Sequence, residues 1–273
     1  ADGSTFQMFP AVLGEYNVTP EAVLSLMDRE GVEKAVMLQG NFIGPQNLYT
    51  WEAMQKYPDR FTGAACYDPF CRKYQDVRRH LFEELRFPIV KFEVSDGSGL
   101  MSYHREFALD GEMMEEQLCY AESLGLTVVF DIGRHGGCCW QVQGLAAAAK
   151  RHPGLQFVVC HLLAPQGRSY ENDWREAMKT LNLDNVVFDL ASLSSNQRPE
   201  PYPYPTAIWF IKEAMHILGA DRMMWGSDLP SNLCRDSYRH LFDYILESHV
   251  FTECEKESML RNTADRIYFA LKH

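Results

Sequence analysis

The chain alternates between short apolar runs and longer amphipathic segments. Seven apolar runs, rich in Val, Phe and other residues that favour strands, can be read along it. A strand that is apolar on both faces is typical of a parallel sheet covered by helices. The pattern therefore predicts seven parallel strands, at residues 35–39, 62–67, 89–93, 127–131, 157–161, 186–189 and 222–228.

Helices are predicted between these strands. The first begins with Thr19 as its N-cap and Pro20 at its first helical position, and it ends at Gly31. The regular alternation, without a linker, predicts one domain over residues 1–273 with right-handed crossovers. The other helices are predicted at 49–56, 73–86, 111–123, 140–151, 171–181, 206–218, 235–247 and 253–270.

Seven strand–helix units favour an α/β fold, a (β/α)8 TIM barrel that lacks its first strand or is truncated there. A doubly wound open sheet is the alternative, but the chain has neither Gly-x-Gly-x-x-Gly nor a Walker-type phosphate loop. Because the chain begins without Met, we expect that upstream residues are missing. Residues 5–9 are apolar enough to replace part of the absent strand.

Composition narrows the range of partners. The net charge of -11, with no block of Lys or Arg, makes nucleic acid and anionic membranes poor partners. No apolar stretch approaches the roughly 18 residues that span a bilayer. The eight cysteines include no Cys-x-x-Cys pair. These features indicate a reduced, cytoplasmic protein that acts on a small molecule.

Ionisable residues stand at the carboxyl ends of the predicted strands, where parallel α/β folds place their chemistry. A histidine among carboxylates can hold Zn²⁺, which lowers the pKa of a bound water to about 7. Without a metal, His161 and Asp228 could act as an acid/base pair. The residues expected at this edge are Gln39, Asp68, Lys91, Glu93, Asp131, His161, Asp189 and Asp228.

Several of these residues also have an ordinary structural interpretation. Asp68 before Pro69 is typical of a turn cap, and Lys91 can pair with Glu93. In the glycine-rich loop after residue 131, Arg134 could clamp a substrate carboxylate and His135 could assist. Lys91, Glu93, Arg134 and His135 are therefore candidate substrate-binding residues.

Six motifs, in their order and spacing, resemble the amidohydrolase superfamily. The similar branch contains aminocarboxymuconate-semialdehyde and resorcylate decarboxylases and several sugar or pyrone lactonases. Gly226-Ser227-Asp228 after an apolar strand is the most specific marker. The full set lies at 31–36, 57–61, 152–155 leading into His161, 200–205, 225–230 and 261–266.

The resemblance implies roles for particular residues. Asp228 would be a metal ligand and general base, and His161 would orient or protonate the substrate. Asp131 stands where the decarboxylases carry a metal-binding histidine, and the family's first-strand His-x-His pair has no counterpart here. Asp131, His161 and Asp228 could still form a weak three-ligand site, with Zn²⁺ the expected ion. Members of the branch are often dimers, so a homodimer is expected by analogy.

The predicted function is that of a metal-dependent hydrolase acting on a small carboxylated or cyclic substrate, such as a lactone, ester or amide. Nonoxidative decarboxylation at the same site is the first alternative. A metal-free lactonase or a non-catalytic barrel are the others, because two expected metal-binding features are absent.

Overall fold

A computed structural model describes residues 18–40, 44–95, 97 and 99–270. Its seven strands form one parallel sheet in which each strand pairs with the next along the chain. The prediction of a TIM-barrel-like α/β fold that is short of one strand is confirmed. The strands are β1 (Ala35–Met37), β2 (Phe61–Ala65), β3 (Ile89–Glu93), β4 (Thr127–Asp131), β5 (Gln156–Val159), β6 (Val186–Asp189) and β7 (Met223–Met224).

The helices that cover the sheet occupy the predicted intervals. Short 3₁₀ turns lie at Leu100–Ser102, Cys160–Leu163, Ala220–Arg222 and Ser231–Cys234. The α-helices are α1 (Pro20–Glu30), α2 (Asn47–Lys56), α3 (Tyr74–Arg79), α4 (Glu112–Ser123), α5 (Val142–Arg151), α6 (Glu171–Thr180), α7 (Leu193–Asn196), α8 (Pro205–Leu218), α9 (His240–Leu246) and α10 (Glu253–Glu257).

The first helix has the predicted ends. The Thr19 hydroxyl accepts a hydrogen bond from the backbone N–H of Ala22 at 3.2 Å, Pro20 is the first helical residue, and Gly31 ends the helix with φ 72°. Glycine suits that position because other residues are strained at positive φ.

Four predicted strands end earlier than expected. The strands predicted at 35–39 and 62–67 end at Met37 and Ala65. The strand predicted to reach His161 ends at Val159, and the one predicted to reach Asp228 ends at Met224. At the end of β7, the N–H of Trp225 donates to the carbonyl of Met259 at 2.7 Å, so the chain leaves the sheet there. Both functional candidates therefore lie in turns after their strands.

Three predicted helices also differ from the structure. The segment 73–86 changes from α3 into a π-helical turn at His80–Glu84, and 253–270 contains π-helical turns at Ser258–Asn262 and Asp265–Phe269. Helix α9 begins five residues later than predicted, at His240, and residues 235–239 form turns that follow the 3₁₀ turn at Ser231–Cys234. Apolar spacing cannot distinguish these variants, since all of them place apolar residues on one face.

The strands are buried on both faces, as their unbroken apolar runs predict. In β4, Val128 and Phe130 pack outward against the helices, while Val129 packs inside the curled sheet with Val158 and Val187. Phe130 stacks on Phe157 of the neighbouring strand with ring centroids 6.1 Å apart. This double burial explains why most positions of the strands are apolar, with charged residues confined mainly to the carboxyl ends.

The sheet has two outer strands, β1 and β7, each paired with one neighbour in the described part of the chain. Tyr268 and Phe269, from the last helical turn, pack with Val36 and Leu38 beside this opening. The predicted replacement strand at residues 5–9 lies outside the described residues. Within the described residues, none of the helices combines the length and apolar character that crossing a bilayer requires.

Replacing Phe157 by Ala is expected to lower the free energy of unfolding by about 3–5 kcal/mol, because the side chain is fully buried and its removal leaves a cavity. Urea unfolding followed by circular dichroism measures the change. Tyr103→Ala is the control: its side chain is 78% exposed, and we expect a change within about 0.5 kcal/mol. Equal effects of the two substitutions would contradict this account of the core.

Candidate active site

A strained turn presents His161 at the carboxyl end of the sheet. Residues His161 to Ala164 all have positive φ, between 46° and 64°. Two contacts hold this backbone: the N–H of His161 donates to Asp189 Oδ1 at 2.8 Å, and Trp174 Nε1 donates to the carbonyl of Leu162 at 3.0 Å. Consecutive residues in this conformation persist only where surrounding structure supports them, which is common at functional sites.

Both ring nitrogens of His161 have partners. Nε2 lies 3.1 Å from Asp131 Oδ2, and Nδ1 lies 2.9 Å from the backbone carbonyl of Ala191. The other oxygen of Asp131 accepts the N–H of Gly133 at 2.9 Å. The imidazole is therefore fixed between the ends of β4 and β6, which confirms that these strand ends converge.

The charges of this pair reinforce each other. Burial opposes protonation of His161, but the hydrogen bond and charge of Asp131, with Asp189 and Asp228 nearby, raise the pKa of His161 to about 10. Burial likewise opposes ionisation of Asp131, yet His161 and Lys91 hold the pKa of Asp131 well below its usual range. At neutral pH the pair is an imidazolium and a carboxylate.

Lys91 is a second buried cation at the same edge. Its side chain is 9% exposed, and Nζ lies 3.4 Å from Glu93 Oε2. Burial opposes its charge, but Cys160, Glu93, Asp131 and Asp228 together raise the pKa of Lys91. Burial and the charge of Asp131 raise the pKa of Glu93. Lys91 therefore stays charged among several carboxylates.

Asp228 is exposed and is held by a hydrogen-bond chain that the sequence interpretation missed. The Ser192 hydroxyl donates to Asp228 Oδ2, and Asn232 Nδ2 donates to Ser192 Oγ at 3.1 Å and to the Ser227 carbonyl at 3.0 Å. The Ser195 hydroxyl donates in turn to Asn232 Oδ1 at 2.7 Å. Asp228 itself has φ 49°, so this chain supports a strained carboxylate. Their places after β6 and β7 were the only signal for Ser192 and Asn232.

A cavity of about 610 Å³ joins these groups. Its size is in the range of small-molecule sites. Lys91, His161, Asp189 and Asp228 lie among its polar lining, and Val36, Met224 and Phe269 among its apolar lining. The predicted residue Gln39 also lines the cavity.

Other predicted residues lie elsewhere. Within the described ranges, Arg134 and His135 are not part of the cavity lining. Arg134 is exposed and donates to Gln166 Oε1 at 3.0 Å, while His135 packs against the ring of Tyr170, with centroids 4.6 Å apart. Asp68 accepts the N–H of Phe70, as expected of a turn cap. The structure thus groups Lys91 with the site, and leaves the loop residues outside it.

The predicted zinc ligands are only partly brought together. Donor atoms of Asp131, Cys160 and His161 lie within 4.8 Å of one another, and Asp228 does not belong to that group. Both ring nitrogens of His161 already have partners, Asp131 Oδ2 for Nε2 and the Ala191 carbonyl for Nδ1, so neither is directed at a position shared with Asp228. These residues do not fit the predicted three-ligand site.

The chain matches the amidohydrolase family over residues 8–270, so it belongs to that family. A relative from Sinorhizobium fredii, the uncharacterized protein y4mH, is 25% identical over 138 residues. That match covers 47% of this chain and 44% of the relative, so less than half of the relative's length is matched.

Several solved structures share the fold. A probable 2-pyrone-4,6-dicarboxylic acid hydrolase from Acinetobacter baumannii, with citric acid bound, is 18% identical, with TM-score 0.75 and coverage of 98% and 92% of the two chains. An amidohydrolase from Burkholderia multivorans with bound zinc is 17% identical, with TM-score 0.75 and coverage of 97% and 96%.

A more distant structure is 5-carboxyvanillate decarboxylase from Sphingomonas paucimobilis, 15% identical, with TM-score 0.64 and coverage of 95% and 86%. At these identities, the likeness shows the fold alone. The family match confirms the predicted membership of the amidohydrolase superfamily.

The His161–Asp131 pair predicts a pH-dependent stability. A histidine whose pKa rises from 6.5 to about 10 on folding contributes stability that is complete below pH 6.5 and is lost as pH rises towards 10. We expect the free energy of unfolding to fall by about 2 kcal/mol or more over that range. Urea unfolding at a series of pH values measures it.

The matched variants are Asp131→Asn and Asp173→Asn. Asp173 faces His135 at 3.5 Å on the surface, with its side chain 66% exposed, so its loss should leave the pH dependence unchanged. Asp131→Asn should reduce the decline of the free energy of unfolding with rising pH. An unchanged slope in Asp131→Asn would show that other groups cause the decline.

Proposed function

We propose that this protein hydrolyses a small cyclic ester that carries one or more carboxylate groups. The observation that carries the proposal is Asp228, an exposed carboxylate that a hydrogen-bond chain holds at a cavity containing two cations, Lys91 and His161. A base beside positive charge is what the attack of water on a carbonyl requires.

The reaction would proceed by general base catalysis. Asp228 takes a proton from water as the water oxygen attacks the carbonyl carbon of the ester. The electron pair of the carbonyl moves onto its oxygen, and the positive charge of Lys91 stabilises that oxyanion. When the carbonyl re-forms, the ring C–O bond breaks and the leaving oxygen receives the proton from Asp228. The product is an open-chain hydroxy (or enol) acid.

His161, the other cation, supplies positive charge and holds Asp131 in place. Because His161 directs both nitrogens to Asp131 and Ala191, it contributes positive charge and orients Asp131, and it does not transfer the proton in this scheme. No step uses a metal, since the donor set does not fit the predicted zinc site. The zinc-bound structural relative makes a metal-dependent route the natural competitor.

The substrate class follows from charge and volume. Lys91 lies in the cavity lining as a charged partner for a substrate carboxylate or oxyanion, and about 610 Å³ holds a single ring with its substituents. The name of the Acinetobacter baumannii structure supports 2-pyrone-4,6-dicarboxylate as the first probe. A homodimer and a single domain over residues 1–273 remain proposals.

Asp228→Asn should lower kcat for the hydrolysis of 2-pyrone-4,6-dicarboxylate or a related carboxylated lactone by about 100-fold or more, because the amide cannot take the proton. Loss of the pyrone absorbance measures the rate, and product mass confirms the addition of water. Asp59→Asn is the control, since Asp59 is exposed in the turn before β2. Full activity in Asp228→Asn would reject the proposed base.

Chelation separates the two routes. The activity should survive dialysis against a chelator, and loss that Zn²⁺ restores would favour the metal-dependent alternative. Release of CO₂ without hydrolysis would favour decarboxylation. Tight binding of the lactones without turnover would favour a non-catalytic barrel.

Ser192→Ala should lower kcat about tenfold and leave KM nearly unchanged, because it removes a hydrogen bond to the charged base without touching the substrate. Steady-state kinetics with the same lactone gives both constants. Ser169→Ala, at an exposed position outside the cavity lining, is the matched control. A rise in KM with unchanged kcat would place Ser192 in substrate binding instead.

A further inference from the structure

A second group of metal-binding side chains lies on the outside of the fold. Glu115 and Cys119 are four residues apart on α4, and His152 follows the end of α5. Residues at this spacing lie on the same face of a helix. One donor atom of each of the three side chains lies within 4.8 Å of the others. Within the described residues, none of the three lines the cavity of the proposed active site.

His152 is buried and only one of its ring nitrogens is hydrogen-bonded. The residue is 3% exposed, and Nδ1 lies 2.9 Å from Glu122 Oε2. The N–H of Gly154 donates to the other oxygen of Glu122 at 3.1 Å, which orients that carboxylate. Nε2 lies 3.2 Å from Glu115 Oε1. The contact is an ion-pair distance and does not meet the geometry of a hydrogen bond, so Nε2 has no hydrogen-bond partner among the described residues.

Without a cation, this arrangement leaves the buried Nε2 of His152 without a hydrogen bond among the described residues, which is unfavourable. Nε2 of His152 faces the Glu115 carboxylate without a hydrogen bond, while Nδ1 is within hydrogen-bond distance of Glu122. A buried polar atom without a partner is unfavourable. A carboxylate that accepts the second N–H of a metal-binding histidine is the usual outer partner in zinc sites.

The spacing suits a tetrahedral ion. With Zn–N near 2.0 Å and Zn–S near 2.3 Å, two ligand atoms around one zinc lie about 3.3–3.6 Å apart. Here Glu115 Oε1 is 3.2 Å from His152 Nε2 and 3.9 Å from Cys119 Sγ. Arg151 Nε binds Glu115 Oε2 at 2.8 Å, which leaves Oε1 for the ion.

We propose that Glu115, Cys119 and His152 bind a zinc-class divalent cation, with water as the fourth ligand. Thiolate, imidazole and carboxylate together select Zn²⁺ over Mg²⁺ or Ca²⁺. The site lies away from the proposed active site and joins α4 to the turn before β5. Its ion would therefore link two neighbouring strand–helix units.

Binding must release a proton. Burial and the charges of Glu115 and Glu122 raise the pKa of the Cys119 thiol, so without the ion it is protonated at neutral pH. A metal–sulfur bond forms as the S–H bond breaks, and the proton passes to solvent. The exposed position of Cys119 leaves it accessible to the ion.

The test is Co²⁺ titration of the metal-free, reduced protein, since Co²⁺ replaces Zn²⁺ and a cobalt–thiolate bond absorbs in the near ultraviolet. We expect one Co²⁺ per chain with this band, displacement by Zn²⁺, and release of about one proton at neutral pH. Cys119→Ser should abolish the band, and Glu115→Gln should weaken binding at least tenfold. Cys254→Ser, another exposed cysteine, should bind as the wild type does.

Two results would overturn the proposal. A band that survives in Cys119→Ser assigns the thiolate to another site and overturns the proposal. Absence of Co²⁺ and Zn²⁺ binding in the wild type overturns it as well, and leaves His152 as an imidazolium between Glu115 and Glu122. Because Cys119 is exposed, its replacement does not disturb the core, and thermal unfolding of the metal-free variants checks that they fold.

Discussion

The site depends on the contact between His161 and the carboxylates around it. Asp131 at the end of β4, His161 after β5 and Asp189 at the end of β6 join three successive strands through charge-assisted hydrogen bonds. Asp131 or His161 alone would be costly to bury, and together they keep each other charged. The left-handed backbone from His161 to Ala164 is tolerated because Asp189 and Trp174 hold it.

This contact also changes what the histidine can do. A histidine among carboxylates at the carboxyl edge of the sheet suggests a metal ligand or a proton carrier. In this structure, however, Asp131 and the Ala191 carbonyl already occupy both ring nitrogens of His161. Catalytic freedom lies instead with Asp228, which is exposed and is oriented by Ser192 and Asn232. The proposed chemistry, which begins at Asp228 and uses Lys91 as a fixed positive charge, rests on this division. It is also consistent with an amidohydrolase chain in which Asp131 replaces the expected metal-binding histidine.

The clusters around His161 and His152 contain similar residues but differ in the hydrogen bonds of the histidine ring. His161 and His152 each lie beside a carboxylate at 3.1 Å and 3.2 Å, respectively. His161 has hydrogen-bond partners at both ring nitrogens, whereas His152 has one at Nδ1 and none at Nε2 among the described residues. The cluster with the unsatisfied nitrogen is on the surface, where sequence gave no reason to look for an ion.

The sequence by itself determined the strand–helix alternation, the parallel sheet and the placing of Asp131, His161 and Asp228 at one edge. Apolar runs show this because a strand buried on both faces needs apolar residues at most positions. Only the tertiary structure decided which neighbours they meet. Ser192 and Asn232 carry no local pattern, and their contact with Asp228 arises from packing between separate loops. The turn after β5 likewise depends on a hydrogen bond to the Asp189 side chain, and the end of β7 on one to the Met259 carbonyl, and no local periodicity records either contact.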